Sequence, residues 1–215
     1  MLDIEFDMRY RERSGIVCGT DEAGRGPLAG PVVAAAVILP DGCVIDGLDD
    51  SKKLSEKKRD ILYDTIREKA LSYGIAEASC EEIDRINILN ASLSAMKRAV
   101  AIASKKVTPG IVLVDGNRNT DFGFPSLTVV KGDSKSQSIA AASVLAKVYR
   151  DRLMADLDTR YPEYGFRKHK GYPTKDHMLA VYEFGPSPEH RKSFLGFLEK
   201  DHEKLEEALR KKNGI

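Results

Sequence analysis

Short, unbroken apolar runs closed by turn or acidic residues constrain this chain more than any other feature. Residues 31–39 (PVVAAAVIL) form the longest, and 111–114 and 127–130 are two more. A strand with one wet face alternates apolar and polar residues, so continuous Val/Ile/Leu runs specify strands covered on both faces, with helices as the cover. The run at 31–40 is only about half the ~20 residues needed to cross a bilayer. Residues 15–20 read as another strand, paired antiparallel with 31–39 through the glycine-rich turn 24–30. Residues 71–78 are a further strand candidate.

Helical spacing fills the intervals. Ser51 or Ser55 caps a helix carrying Leu54, Ile61, Leu62 and Ile66 inward. Residues 88–106 carry Leu89, Leu93, Met96, Val100 and Ala103, and stop at Pro109 and Gly110. Residues 136–160 turn Ile139, Ala142, Ala146, Leu153 and Leu157 inward, with small residues at 140–143 for close packing on a sheet. Past Pro162 the chain becomes basic, aromatic and loop-rich, then ends in a charged helix near 199–212. The expected architecture is α/β, a mixed β-sheet flanked by helices with a C-terminal helical extension. At roughly 150 residues per domain, 215 residues make one structural unit, a core over 1–160 with the 161–215 segment packed on it.

The 34 Lys and Arg against 33 Asp and Glu give a net charge of +1, which by itself argues mildly against a polyanionic partner. The average hides segregation. Lys52, Lys53, Lys57, Lys58 and Arg59 face one acid, Glu56, over 51–59, and residues 147–175 are strongly basic. Such runs also read as solvated helix faces. The three cysteines are widely spaced, and the acidic N-terminus lacks a signal-peptide layout. A cytoplasmic protein is expected, monomeric and with no membrane partner.

Acids recur where strands end: Asp21 and Glu22 after the first, Asp115 after the fourth, and Asp133 past the fifth and before a helix. Taken singly, each also reads as a turn or cap residue. Together they would repel one another unless cations neutralised them, and all-oxygen ligation is the chemistry of Mg²⁺ or Mn²⁺. Two such ions activate water and stabilise the leaving oxygen in phosphodiester hydrolysis. The segment 19–26 (GTDEAGRG) has P-loop-like glycine spacing but lacks the Lys-Ser/Thr that follows in a P-loop. Gly24, Arg25 and Gly26 suit either close backbone approach to a phosphate or sugar, or a plain tight turn. Residues 164–177 (YGFRKHKGYPTKDH) mix aromatic and basic side chains, as in strand-holding surfaces, with His169 and Tyr172 as contact candidates. A solvated loop is the other reading of that composition.

These residues resemble the ribonuclease HII family, the type 2 ribonucleases H. The shared segments are GTDEAGRG (19–26), DSKKLS (50–55), VLVDG (112–116), KGDSKS (131–136), AASVLAKVYRD (141–151) and HKGYPT (169–174), in consistent order across about 15–195. The resemblance implies a ribonuclease H-like fold and endonucleolytic cleavage of the RNA strand of RNA/DNA hybrids. It also implies cleavage 5′ of ribonucleotides embedded in duplex DNA, leaving 5′-phosphate and 3′-hydroxyl ends. By the same resemblance, Asp21, Glu22, Asp115 and Asp133 are the catalytic, metal-holding acids of a two-metal Mg²⁺ or Mn²⁺ site. Gly24, Arg25, Gly26, Lys52, Ser143, Lys147, His169 and Tyr172 fall at substrate-binding positions, Tyr172 sensing the ribose at the RNA-to-DNA junction. The alternatives are another ribonuclease H-like nuclease of resolvase type, or a non-catalytic nucleic-acid-binding protein.

Overall fold

Val32–Ile38, strand β2, is buried at every residue because helices cover both of its faces. In the computed structural model, which describes residues 2, 4–49, 51 and 53–213, the elements before it are helix α1 (Ile4–Ser14) and strand β1 (Val17–Ala23). After β2 come α2 (Glu56–Lys69), β3 (Ser72–Ala78), α3 (Cys80–Ser104), β4 (Ile111–Asp115), β5 (Ser126–Val129) and α4 (Gln137–Arg160). Short helices α5 (Phe166–His169), α6 (Lys175–Phe184), α7 (Phe197–Lys200) and the terminal α8 (His202–Asn213) complete the chain.

The sheet order is β3-β2-β1-β4-β5. β1 and β2 are antiparallel, as the sequence specified, with Gly19 opposite Val37 and Asp21 opposite Ala35. β1 and β4 are parallel, and so are β4 and β5, which makes the sheet mixed. Val33, Ala35 and Val37 of β2 face α2 and α4, while Val32, Ala34, Ala36 and Ile38 face α3. The alanine-rich start of α4 lies directly on β1: a Cβ at Gly19 would collide with the main chain of Ser138 and Ile139. Gly19 is therefore required by a close approach of two backbones. Among the described residues, no helix is long and apolar enough to cross a membrane.

Several expectations need correction. Helix α1 has no counterpart in the sequence reading; it docks through Phe6 and Tyr10, and its Asp7 carboxylate accepts from the Ser138 N–H (2.9 Å) and hydroxyl (2.7 Å) at the first turn of α4. The N-cap of α2 is Ser55, not Ser51, and Ile61 points to solvent at 60% exposure. α3 starts at Cys80 and breaks at Asn87 (φ 63°, ψ 163°), whose side chain accepts from Asn90 N–H, so the periodicity read from residue 88 belongs to the segment after the break. β5 is an edge strand, with Leu127 and, just past its end, Val130 exposed, rather than a central one. The 161–200 segment folds as short helices around Tyr164, Phe166 and Met154.

Candidate active site

Asp21 and Glu22 lie inside β1, two residues and one residue before its end, so the acids begin before the strand stops. The parallel register of β1 and β4 sets Thr20 beside Val114, and one further residue brings Asp21 beside Asp115. One Asp115 oxygen accepts from Gly132 N–H (2.7 Å) and Asp133 N–H (3.3 Å), which ties the short 3₁₀ turn holding Asp133 to the end of β4. Asp133 is buried in that turn, and the N-cap of α4 is Ser136, not Asp133.

Burial first, and then this crowding, sets the electrostatics. Asp21 is raised well above the ordinary carboxylate range, chiefly by burial and then by the charges of Glu22 and Asp115; the Ser143 hydroxyl and the Glu22 N–H oppose the shift by bonding the ionised form. Glu22 is raised as well, by burial first, with Asp115 adding to it and Arg25 opposing, its Nη1 being 3.3 Å from Oε1. Among the described residues, no three His, Cys, Asp or Glu side chains are drawn together into a closed metal-binding cluster. Asp21, Glu22 and Asp115 are near enough to shift one another but keep separate partners.

A cavity of about 220 Å³ adjoins Asp21 and Glu22 and is lined further by Gly24, Arg25, Gly26, Ser51, Ser143, Lys147, Arg150 and Tyr172. Glu22 and Arg25 also border a smaller cleft with Asp115, Asn117 and Arg118. Ser143 is buried; its hydroxyl bonds Ser51 Oγ at 2.9 Å and lies against Asp21, so it orients an acid rather than offering a free contact. The Lys147 ammonium is paired with Asp151 at 2.6 Å, one turn along α4. Tyr172 is 44% exposed and stands next to Gly26, where a Cβ would lie 3.6 Å from its ring. Lys52 lies outside the described residues.

His169 is not a surface contact. It is buried, Nδ1 accepts from Gly171 N–H (3.2 Å), Nε2 meets Tyr164 O (2.8 Å), and the ring stacks on His177 at 4.3 Å. Its role is to shape the turn that carries Tyr172. His177 and His190 lie beside it around Phe166. Ser187 N–H donates to His190 Nδ1, so His190 Nε2–H donates to His177 Nε2 (3.0 Å) and His177 Nδ1–H to Tyr172 O (2.9 Å), the tautomers being assigned from this network.

Burial, ahead of other causes, pushes both His177 and His190 down to about 4 from 6.5. A depressed imidazole stabilises the fold fully above pH 6.5, and this contribution is lost as pH falls from 6.5 through 4. Urea midpoints are expected to drop across that window, each histidine adding up to about 1.4 kcal/mol per pH unit. The slope should shrink in His190→Gln; an unchanged slope would contradict a neutral buried pair.

Sequence reading missed two residues here, Arg150 and Arg191. Arg150 is legible in retrospect, because it continues the inward stripe of Ile139, Ala142 and Ala146 on α4; Arg191, in a loop, carries no such signal.

Comparison with known proteins gives the family and the fold. A sequence model of the family described as Ribonuclease HII matches residues 18–196. The chain is 59% identical over 179 residues to ribonuclease HII 1 of Methylibium petroleiphilum, covering 83% of this chain and 89% of that one. It is also 59% identical over 180 residues to ribonuclease HII of Dechloromonas aromatica, covering 84% and 91%. The crystal structure of ribonuclease H2 from Pyrococcus horikoshii superposes with a TM-score of 0.69 at 26% identity, over 89% of this chain and 99% of that one.

Proposed function

The chain belongs to the ribonuclease HII family and is an endonuclease that hydrolyses the RNA strand of RNA/DNA hybrids, and from that premise we propose that Asp21, Glu22, Asp115 and Asp133 are its catalytic acids. The observation carrying this reading is that three of these carboxylates crowd one another, and two of them, Asp21 and Glu22, line a cavity together with the 24–26 turn and Tyr172.

The donor set fits hard divalent cations, being all carboxylate oxygen and short of neutralising charge. Asp21, Glu22 and Asp115 would hold Mg²⁺ or Mn²⁺, with Asp133 completing a second position. Bound there, the two ions supply activation of the attacking water and stabilisation of the departing 3′ oxygen.

The chain's own groups do the rest. Ser143 holds one Asp21 conformation. The amides of the 24–26 turn approach the ribose closely enough to read its 2′-hydroxyl, the group that separates RNA from DNA. The Tyr172 ring stacks on the following deoxyribose, where a second 2′-hydroxyl would interfere, so cleavage falls 5′ of an embedded ribonucleotide. Lys147 and Arg25 serve neighbouring phosphates once released from Asp151 and Glu22. The 161–215 segment thus completes a site that the 1–160 core begins, and the two work as one unit. We place the enzyme, as a monomer, in the cytoplasm, a compartment that suits its three free cysteines.

Mg²⁺ and Mn²⁺ titrations on duplexes holding zero, one or several ribonucleotides test the reading. Cleavage is expected only where a ribonucleotide is present and only with the cation. Equal cleavage of the all-DNA duplex would overturn ribose reading and favour a resolvase-type nuclease; no cleavage of any duplex would favour a binding protein.

A further inference from the structure

Arg150 and Arg191 are the two largest side chains fully withdrawn from solvent, at 1% and 0% exposure. Buried guanidinium groups normally pair with a carboxylate. Among the described residues, these two bond main-chain carbonyls instead. Arg191 takes Gly30 O through Nε (3.0 Å), Arg25 O through Nη1 (2.9 Å) and Gly24 O through Nη2 (2.6 Å). Arg150 takes Pro31 O (3.0 Å), Ala29 O (3.0 Å) and Lys170 O (2.9 Å). Five of these six carbonyls belong to the 24–31 turn, and the sixth lies two residues before Tyr172.

The consequence is geometric. In a trans peptide the carbonyl and the following N–H point opposite ways. With the Gly24 and Arg25 carbonyls drawn onto Arg191, the Arg25 and Gly26 amides face away from it, and among the described residues neither has an acceptor. The same framework reaches the segment that carries Tyr172. Arg150 fastens Lys170, Leu28 N–H donates to Gly171 O (2.8 Å), and the His190–His177 relay ends on the Tyr172 carbonyl. Gly24 must lack a side chain, since a Cβ there would run into the Arg150 guanidinium.

We infer that Arg150, Arg191 and His177 are positioning residues that hold the 24–26 turn and Tyr172 at one fixed spacing, and that this spacing sets the preference for an RNA-to-DNA junction over the interior of an RNA run. The inference rests on the proposed roles of that turn and of Tyr172. A lysine at 191 keeps the charge but replaces a three-nitrogen fork with one nitrogen.

The readout is the ratio of cleavage at a single ribonucleotide to cleavage inside a ribonucleotide run. In Arg191→Lys this ratio is expected to fall about tenfold or more through kcat, with KM held within about twofold, because misplacement near 1 Å costs up to about 10²-fold. A lower Tm with an unchanged ratio would overturn the inference and leave the arginines purely structural. If Arg191→Lys does not fold, two variants at 177 decide. His177→Asn keeps a donor near Nδ1 for Tyr172 O and should keep the ratio; His177→Gln keeps only the partner for His190 and should lose it. Equal ratios in the two overturn the inference. Tyr172→Ala separates the layers: an unchanged ratio there refutes the role given to Tyr172, whereas a lowered ratio with Arg191→Lys unaffected refutes only the framework.

Discussion

Asp21→Asn is expected to abolish cleavage and to stabilise the cation-free protein. Removing one centrally placed electrostatic group costs about 10²–10³-fold in kcat even where the rest of a site survives, and here the loss includes a carboxylate we propose as a cation ligand. Hybrid affinity should be nearly unchanged, because the phosphate contacts we propose, Lys147 and Arg25, are other residues. The gain in stability comes first from the burial of Asp21 and then from its crowding with Glu22 and Asp115. Its folded-state pKa is raised, so the cost of ionising Asp21 is fully present above that pKa and disappears as pH falls through it toward 3.8. The variant should therefore melt higher at pH 8 in chelator, by about 2–4 °C for each kcal/mol relieved, with the advantage vanishing near pH 4. Added Mn²⁺ should raise the Tm of the parent more than that of the variant, by mass action on the folded state. Turnover within tenfold of the parent in Mg²⁺, or no parental Tm response to Mn²⁺, would remove Asp21 from the metal site.

The second large effect belongs to Tyr172→Ala. Its ring is 44% exposed beside Gly26, so truncation leaves no buried void and folding should change by about 0.5 kcal/mol or less. Aromatic stacking on a nucleotide is worth about 1–3 kcal/mol, which predicts a loss of about 5–150-fold in kcat/KM on a single-ribonucleotide duplex. Duplex affinity should fall far less, since most of it comes from phosphate contacts. Tyr172→Phe keeps the stacking face and should retain most activity. Equal losses in cleavage and affinity would make Tyr172 an ordinary binding contact.

The sheet was legible because its strands carry a local signature. β2 is apolar at every position since helices cover both faces, and the antiparallel β1–β2 pair follows from two strand segments joined by a glycine-rich turn. Helix α1 was not legible, because IEFDMRYRERS has no clean apolar stripe and docks through Asp7 on Ser138, 131 residues away. Ile61 misled for the converse reason: it falls at a helical spacing but on the side of α2 that nothing covers. In the 161–200 segment, basic and aromatic composition suggested a loop, while its helices depend on the long-range cluster of Tyr164, Phe166 and Met154.

For the site, the sequence by itself determined the chemistry: carboxylates near strand ends, a glycine-flanked turn, and an aromatic side chain in a basic segment. The type of a residue and its position relative to a strand are local facts. Tertiary structure alone decided which polar side chains are inside. His169, read as a contact, is locked to Tyr164 and Gly171, and Arg191, read as nothing in particular, is the most deeply held cation of the turn. An arginine or histidine is costly to bury unless its donors find acceptors, and those acceptors are main-chain carbonyls up to 167 residues away, in Gly24. Their positions exist only once the chain has closed on itself.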